Sequence, residues 1–155
     1  MATEKLYDQD AHQAQFQATV LSCRPGKHGY DVVLDRTCFY PEGGGQPGDT
    51  GVLSGVRVTD THEAGGEIVH YCEAPLAEGQ TVEGTIDYDR RFEFMQLHTG
   101  EHILSGILHQ MFGAENVGFH VGTEVVRMDT SVPISPEGLR QAELAANRIV
   151  WQDVP

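Results

Sequence analysis

The chain has 155 residues, and its 10 Lys and Arg against 23 Asp and Glu give a formal net charge of −13. Binding to a nucleic-acid backbone draws its affinity from cations that neutralise phosphates, so this balance excludes a protein held on duplex by bulk electrostatics. Hydrophobic residues at 39% suffice for a core, no run approaches the roughly 20 apolar residues of a membrane span, and the N-terminus lacks the basic-then-apolar order of a secretion signal. A cytoplasmic protein is expected, with no membrane partner. Cys23, Cys38 and Cys72 are odd in number and have no Cys-x-x-Cys spacing. They read as reduced thiols buried as small hydrophobes, not as a disulfide framework or a zinc knuckle.

Residues 15–88 read as β. Phe16, Ala18 and Val20 alternate with Gln15, Gln17 and Thr19, the period of a half-buried strand. Arg24-Pro25-Gly26-Lys27-His28-Gly29 reads as a turn, and residues 30–34 as the β-branched run returning from it. Runs at 52–58, 68–71 and 81–87 follow, separated by Gly, Asp and Glu. Short strands at this spacing predict a small antiparallel barrel or sandwich.

The period changes near Arg90. Phe94, Leu97, Ile103, Leu104, Ile107, Leu108, Met111 and Phe112 recur at helical spacing over 91–112, and Gly113 is a natural stop. Residues 117–129 read as extended chain. Ser135-Pro136-Glu137 then supplies an N-cap, a proline at the first helical position and an acidic first turn, opening a helix to about Gln152. The expected class is α+β: a β-barrel domain over 1–88, then the beginning of an α/β domain over 89–155. That second part ends directly after a helix and reads as incomplete.

His98-Thr99-Gly100-Glu101-His102 is the sharpest chemical feature. On a helix, positions four apart lie one turn up and about 40° round, so both imidazoles can face one ion. Zinc takes four donors, or three and a water, and two histidines are half of that set. His109 lies too far along the axis to share the same ion, and it reads as surface or packing, as do His12, His28, His62 and His70. The same five residues also spell His-x-x-Glu-His, the inverted zinc-peptidase signature with Glu101 as general base.

The other singular segment is Phe39-Tyr40-Pro41-Glu42-Gly43-Gly44-Gly45-Gln46-Pro47-Gly48-Asp49-Thr50-Gly51. Consecutive glycines let a backbone take positive φ and approach a ligand or strand closely. By composition alone it is a tight loop, and without a Gly-Lys-Ser/Thr ending it is not a P-loop.

Together the two segments resemble a known family. The glycine segment resembles that of the β-barrel domain in alanyl-tRNA synthetases and free-standing alanyl-tRNA editing proteins. The histidine segment over 98–104, preceded by Arg90-Arg91 and followed by Ser105-Gly106-Ile107-Leu108, is similar to their zinc-binding helix. The likeness runs from about residue 14 onward, through Arg127-Met128-Asp129 and the last helix with Asn147. It implies a trans-editing deacylase that hydrolyses the ester of Ser- or Gly-tRNA(Ala), with the acceptor end of tRNA(Ala) as partner and Zn2+ as cofactor. It also implies His98 and His102 as metal ligands, with Thr99, Glu101, Gly43, Gly44, Gly45 and Gln46 as pocket walls. The family completes its zinc site with a Cys-xxx-His pair that this sequence lacks, so the remaining two ligands are expected to be absent from this chain, which then reads as truncated, inactive by itself and weak in zinc binding. A peptidase and a non-enzymatic β-barrel binding module remain the alternatives.

Overall fold

The computed structural model describes residues 2–155. The chain forms two compact units: the chain up to Gly43 together with Pro47–Phe92, and Gly44–Gln46 together with Glu93–Pro155.

The first unit begins with β1 (Glu4–Lys5) and a 3-10 turn at Leu6–Asp8. There follow β2 (Gln15–Gly26), β3 (Gly29–Leu34), β4 (Arg36–Thr37), β5 (Gly51–Leu53), β6 (Val56–Ala64), β7 (Glu67–Cys72) and β8 (Thr81–Ile86). β1 pairs in parallel with β4. The strands β2-β3-β7-β6-β5-β8 form a closed barrel through antiparallel ladders, with β8 returning to β2 in the register Phe16↔Gly84 and Ala18↔Val82. Alternation puts one face of each strand inside: Phe16, Ala18, Val20, Val32, Leu34, Leu53, Val58, Val82 and Ile86 form the core with Phe39, Cys38 and Cys72.

Two turns differ from the sequence expectation. β2 continues through Arg24, Pro25 and Gly26, which pair with Asp31, Tyr30 and Gly29, so only Lys27 and His28 make the turn. The run over 52–58 is not one strand. Ser54 (φ 45°) and Gly55 (φ 85°) both take positive φ, the requirement of a type I′ hairpin, and they separate β5 from β6.

The second unit contains most of α1 (Tyr88–Phe112), the hairpin β9 (Asn116–Val121) and β10 (Val126–Thr130), and α2 (Pro136–Gln152). α1 starts three residues earlier than the apolar period indicated, because Tyr88-Asp89-Arg90 adds a polar first turn with Asp89 near the helix N-terminus, where negative charge is favourable. Gly113 ends it at φ +63°. Residues 117–129 fold into an antiparallel pair with Met128 opposite Phe119. Ser135 caps α2, its hydroxyl accepting from Gly138 N at 3.0 Å. Ile107, Leu108, Ala114 and Ala142 form the core with Ile103, Leu104, Met128, Ile134 and Ile149. Leu97, Met111 and Phe112, placed on the same stripe by their spacing, stay exposed instead, since the apolar face of α1 is wider than the surface that covers it here. No helix among the described residues is long and apolar enough to cross a membrane.

Candidate metal centre on α1

His98 and His102 occupy successive turns of α1, their rings stacked with centroids 5.0 Å apart and planes 17° apart. Glu101 lies beside them, and one donor atom from each of the three residues falls within 4.8 Å of the others. The environments differ. His98 is half-buried, with Nδ1 3.1 Å from Gln46 Oε1 and its ring 5.5 Å from Phe119. His102 is exposed, and its Nδ1 stands 3.7 Å from Glu101 Oε2, beyond hydrogen-bond length. Glu101 is buried, and its Oε1 accepts from Asn116 Nδ2, which offsets the cost of burying a polar group.

Gly44–Gln46 belongs with the helix that carries these histidines. Gly45 O accepts from Val121 N at 2.9 Å, tying the segment to β9. Gly45 has φ +81°, and a Cβ there would stand 2.5 Å from Phe119 Cδ1 and 2.6 Å from Phe119 O. Only glycine fits. Gln46 is buried beside His98, whereas Thr99 is exposed and Gly43 groups with the barrel unit. Of the residues named from the sequence, the structure therefore brings together His98, His102, Glu101, Gly44, Gly45 and Gln46. Asn116 and Phe119 were not foreseen, since neither carries a spacing signal relative to the helix.

In chemistry this is a donor set that could hold a metal. Two neutral imidazoles are the commonest nitrogen ligands of zinc, and the exposed side of His102 leaves access to solvent. The barrel unit holds a second cluster, Glu42, Asp60 and His62. There His62 Nε2 meets Asp60 Oδ2 at 2.9 Å and Nδ1 faces Glu42 Oε2 at 3.5 Å. Of the two ring nitrogens, Nε2 is within hydrogen-bond distance of a carboxylate. His109 pairs with Glu115 at 3.1 Å, a surface contact as its spacing suggested. The three cysteines are free, and burial raises the Cys38 thiol to about 11 and the Cys72 thiol to about 12, which keeps both protonated and inert.

A sequence profile of tRNA synthetases class II (A) matches residues 4–90. Over 160 residues the chain is 38% identical to an alanyl-tRNA editing protein, AlaX-L, of Pyrococcus horikoshii, an alignment covering 98% of this chain and 39% of that protein. It is 45% identical over 161 residues to the alanine–tRNA ligase of Pyrococcus abyssi and 42% identical over 161 residues to that of Thermococcus kodakarensis, in each case covering 97% of this chain and 17% of the ligase. The chain thus spans about two fifths of the editing protein's length and about a sixth of each ligase's. The matched profile covers the barrel and its glycine segment, the alignments extend through the histidine helix, and the chain belongs to the family of class II tRNA synthetases (A), in the group that includes alanyl-tRNA editing proteins.

Proposed function

We propose that this chain is the barrel and histidine-helix portion of an aminoacyl-tRNA deacylase that removes serine or glycine wrongly esterified to tRNA(Ala), with zinc held in part by His98 and His102. This reading carries with it a cytoplasmic location, beside the translation machinery. The observation behind it is the contact of His98 with Gln46: the two sequence motifs that together resemble one family meet at a single place. Zinc would supply positive charge for holding or polarising the aminoacyl ester. The chain's own contribution is positional. α1 fixes two imidazoles, the Gly44–Gln46 segment packs against one of them, and Glu101 and Asn116 form a polar floor. None of the three cysteines has a histidine four residues on, so residues 1–155 do not supply a Cys-xxx-His pair. Two histidines alone are expected to bind zinc weakly.

Serine release from Ser-tRNA(Ala) tests this reading. A polypeptide that carries this sequence together with a Cys-xxx-His pair should deacylate Ser-tRNA(Ala) and spare Ala-tRNA(Ala), and H98A/H102A should reduce the rate at least about 100-fold, in line with losing a metal that drives the chemistry. Unchanged hydrolysis in the double variant would refute the metal role, whereas no hydrolysis by either protein would favour a non-enzymatic binding module. The peptidase alternative would have to use Glu101 Oε2 as its general base, because Oε1 is held by Asn116.

Binding to tRNA should be weak. Lys5, Arg36, Arg57, Arg91 and Arg140 each lie within 4.0 Å of a carboxylate of this chain, so half of the ten cations already face an anion on a chain of charge −13. By filter binding at physiological salt, the 155-residue chain should bind tRNA(Ala) no tighter than about 1 μM, within the range of non-specific contacts. A submicromolar constant would show that local cations outweigh the overall charge.

A further inference from the structure

We propose that Gln46 is a positioning residue that holds His98 in the tautomer protonated at Nδ1, so that Nε2 is the nitrogen presented to a metal. The inference rests on the zinc reading above, but the tautomer can be measured without any metal. A neutral imidazole carries one proton, and the partner of one nitrogen decides which nitrogen is left as a ligand.

Gln46 has the position to decide this. Its side chain is 4% exposed, and its amide oxygen lies 3.1 Å from His98 Nδ1. An amide oxygen only accepts, so Nδ1 must donate, and the lone pair falls to Nε2. The glutamine is in turn held by its backbone neighbour: Gly45 O is fixed to Val121 N, and Gly45 itself is wedged against Phe119.

The opposite edge of the ring supplies a second, independent observation. Gly44 sits at φ +60°, and a Cβ at this position would stand 3.3 Å from His98 Cε1 and 3.7 Å from Nε2. The missing side chain leaves uncovered the edge through which an ion would reach Nε2. The loop therefore does two things to one ring: Gln46 occupies Nδ1, and Gly44 keeps Nε2 open. His102 has no equivalent, since its Nδ1 is 3.7 Å from the nearest carboxylate oxygen of Glu101 and its side chain is 74% exposed.

The test is long-range 15N–1H NMR of histidine-labelled chain, free of metal, at an alkaline pH where the imidazoles are neutral, followed by calorimetric titration with Zn2+. The expected results are His98 protonated at Nδ1 in the wild type, a shift toward the Nε2-protonated form in Q46M, and retention of the Nδ1 form in Q46E, whose carboxylate still accepts. Zn2+ affinity should fall about 10–100-fold in Q46M, as for outer-shell partners of metal-bound histidines, with His102 unchanged in tautomer. An Nε2-protonated His98 in the wild type overturns the proposal without any variant, even if Q46M fails to fold. So does a Q46M tautomer identical to the wild type. The zinc reading fails separately: H98A/H102A would then take up Zn2+ as tightly as the wild type, whatever the tautomer of His98.

Discussion

Replacing Arg91 with methionine should destabilise the protein by about 3–5 kcal/mol, the usual penalty for removing one partner of a buried ion pair. The side chains of Arg91 and Asp49 are only 3% and 2% exposed. Arg91 Nε donates to Asp49 Oδ2 at 2.7 Å, and Nη2 donates both to the same oxygen and to Cys38 O, while Nη1 reaches Ala11 O at 3.1 Å. The same carboxylate oxygen accepts from Tyr40 N at 2.9 Å, and Asp49 N returns a bond to Tyr40 O at 2.9 Å. The pair thus closes the base of the glycine segment, joining its two ends at Tyr40 and Asp49. Asp49 Oδ1 is buried with no hydrogen-bond partner, so the aspartate already relies on the guanidinium for most of its compensation. R91M leaves that carboxylate with one backbone donor. The double variant R91M/D49N should lose less than the sum of the single losses, because removing both charges also removes the desolvation each one suffers. Urea unfolding gives both numbers. An R91M loss under about 1 kcal/mol would mean that the carboxylate finds another partner or water, and that the segment is not held by this pair.

The strand and helix periods lie within short windows, and those parts of the fold were legible. Phe16, Ala18 and Val20 are buried on one face as their alternation indicated, and Ser135-Pro136 opens α2 as its capping chemistry required. The break at Ser54-Gly55 was hidden because Val52, Val56 and Val58 keep an apolar rhythm across it, and a Ser-Gly pair signals a hairpin only once both residues take positive φ. Pairing is non-local, and no periodicity encodes it: β8 returns to β2 across more than fifty intervening residues. The site divides in the same way. Two histidines one turn apart are visible in five consecutive residues, whereas Gln46 meets His98 across 52 positions, Arg91 meets Asp49 across 42, and Asn116 meets Glu101 across 15. Each of these contacts pairs a polar group with a partner chosen by the fold. Family resemblance could suggest that the glycine segment and the histidine helix work together, but which atom of Gln46 faces which nitrogen of His98 emerged only in three dimensions.

Acid should unfold this protein earlier than its carboxylates alone require, because of His70. The imidazole is fully buried in the barrel unit. Nδ1 lies 2.9 Å from Val32 O, a carbonyl that can only accept, so Nδ1 holds the proton. Nε2 lies 2.8 Å from Thr37 Oγ1, which itself accepts from Phe39 N at 3.0 Å and therefore directs its hydrogen to Nε2. Every donor and acceptor in this chain is matched only when the ring is neutral. Burial accordingly lowers the His70 pKa to about 4 from the ordinary 6.5, against a smaller opposing effect of the hydrogen bond to Val32. Between those values the unfolded chain binds a proton at this position that the folded chain does not, so stability rises with pH across the window. Full stability from this residue is present above about 6.5 and is lost as pH falls through about 4, a change on the order of 3 kcal/mol at 1.36 kcal/mol per pKa unit. Glutamine can both donate and accept but does not titrate, so H70Q should be less stable at neutral pH and yet show a flatter dependence on pH from 6.5 down to 4. Urea midpoints of the two proteins across that range, taken as a difference so that the common carboxylates cancel, measure the effect directly. Parallel curves would mean that His70 takes up its proton in the folded barrel as readily as in the unfolded chain, with Nε2 then donating to Thr37 Oγ1 while Nδ1 still donates to Val32 O.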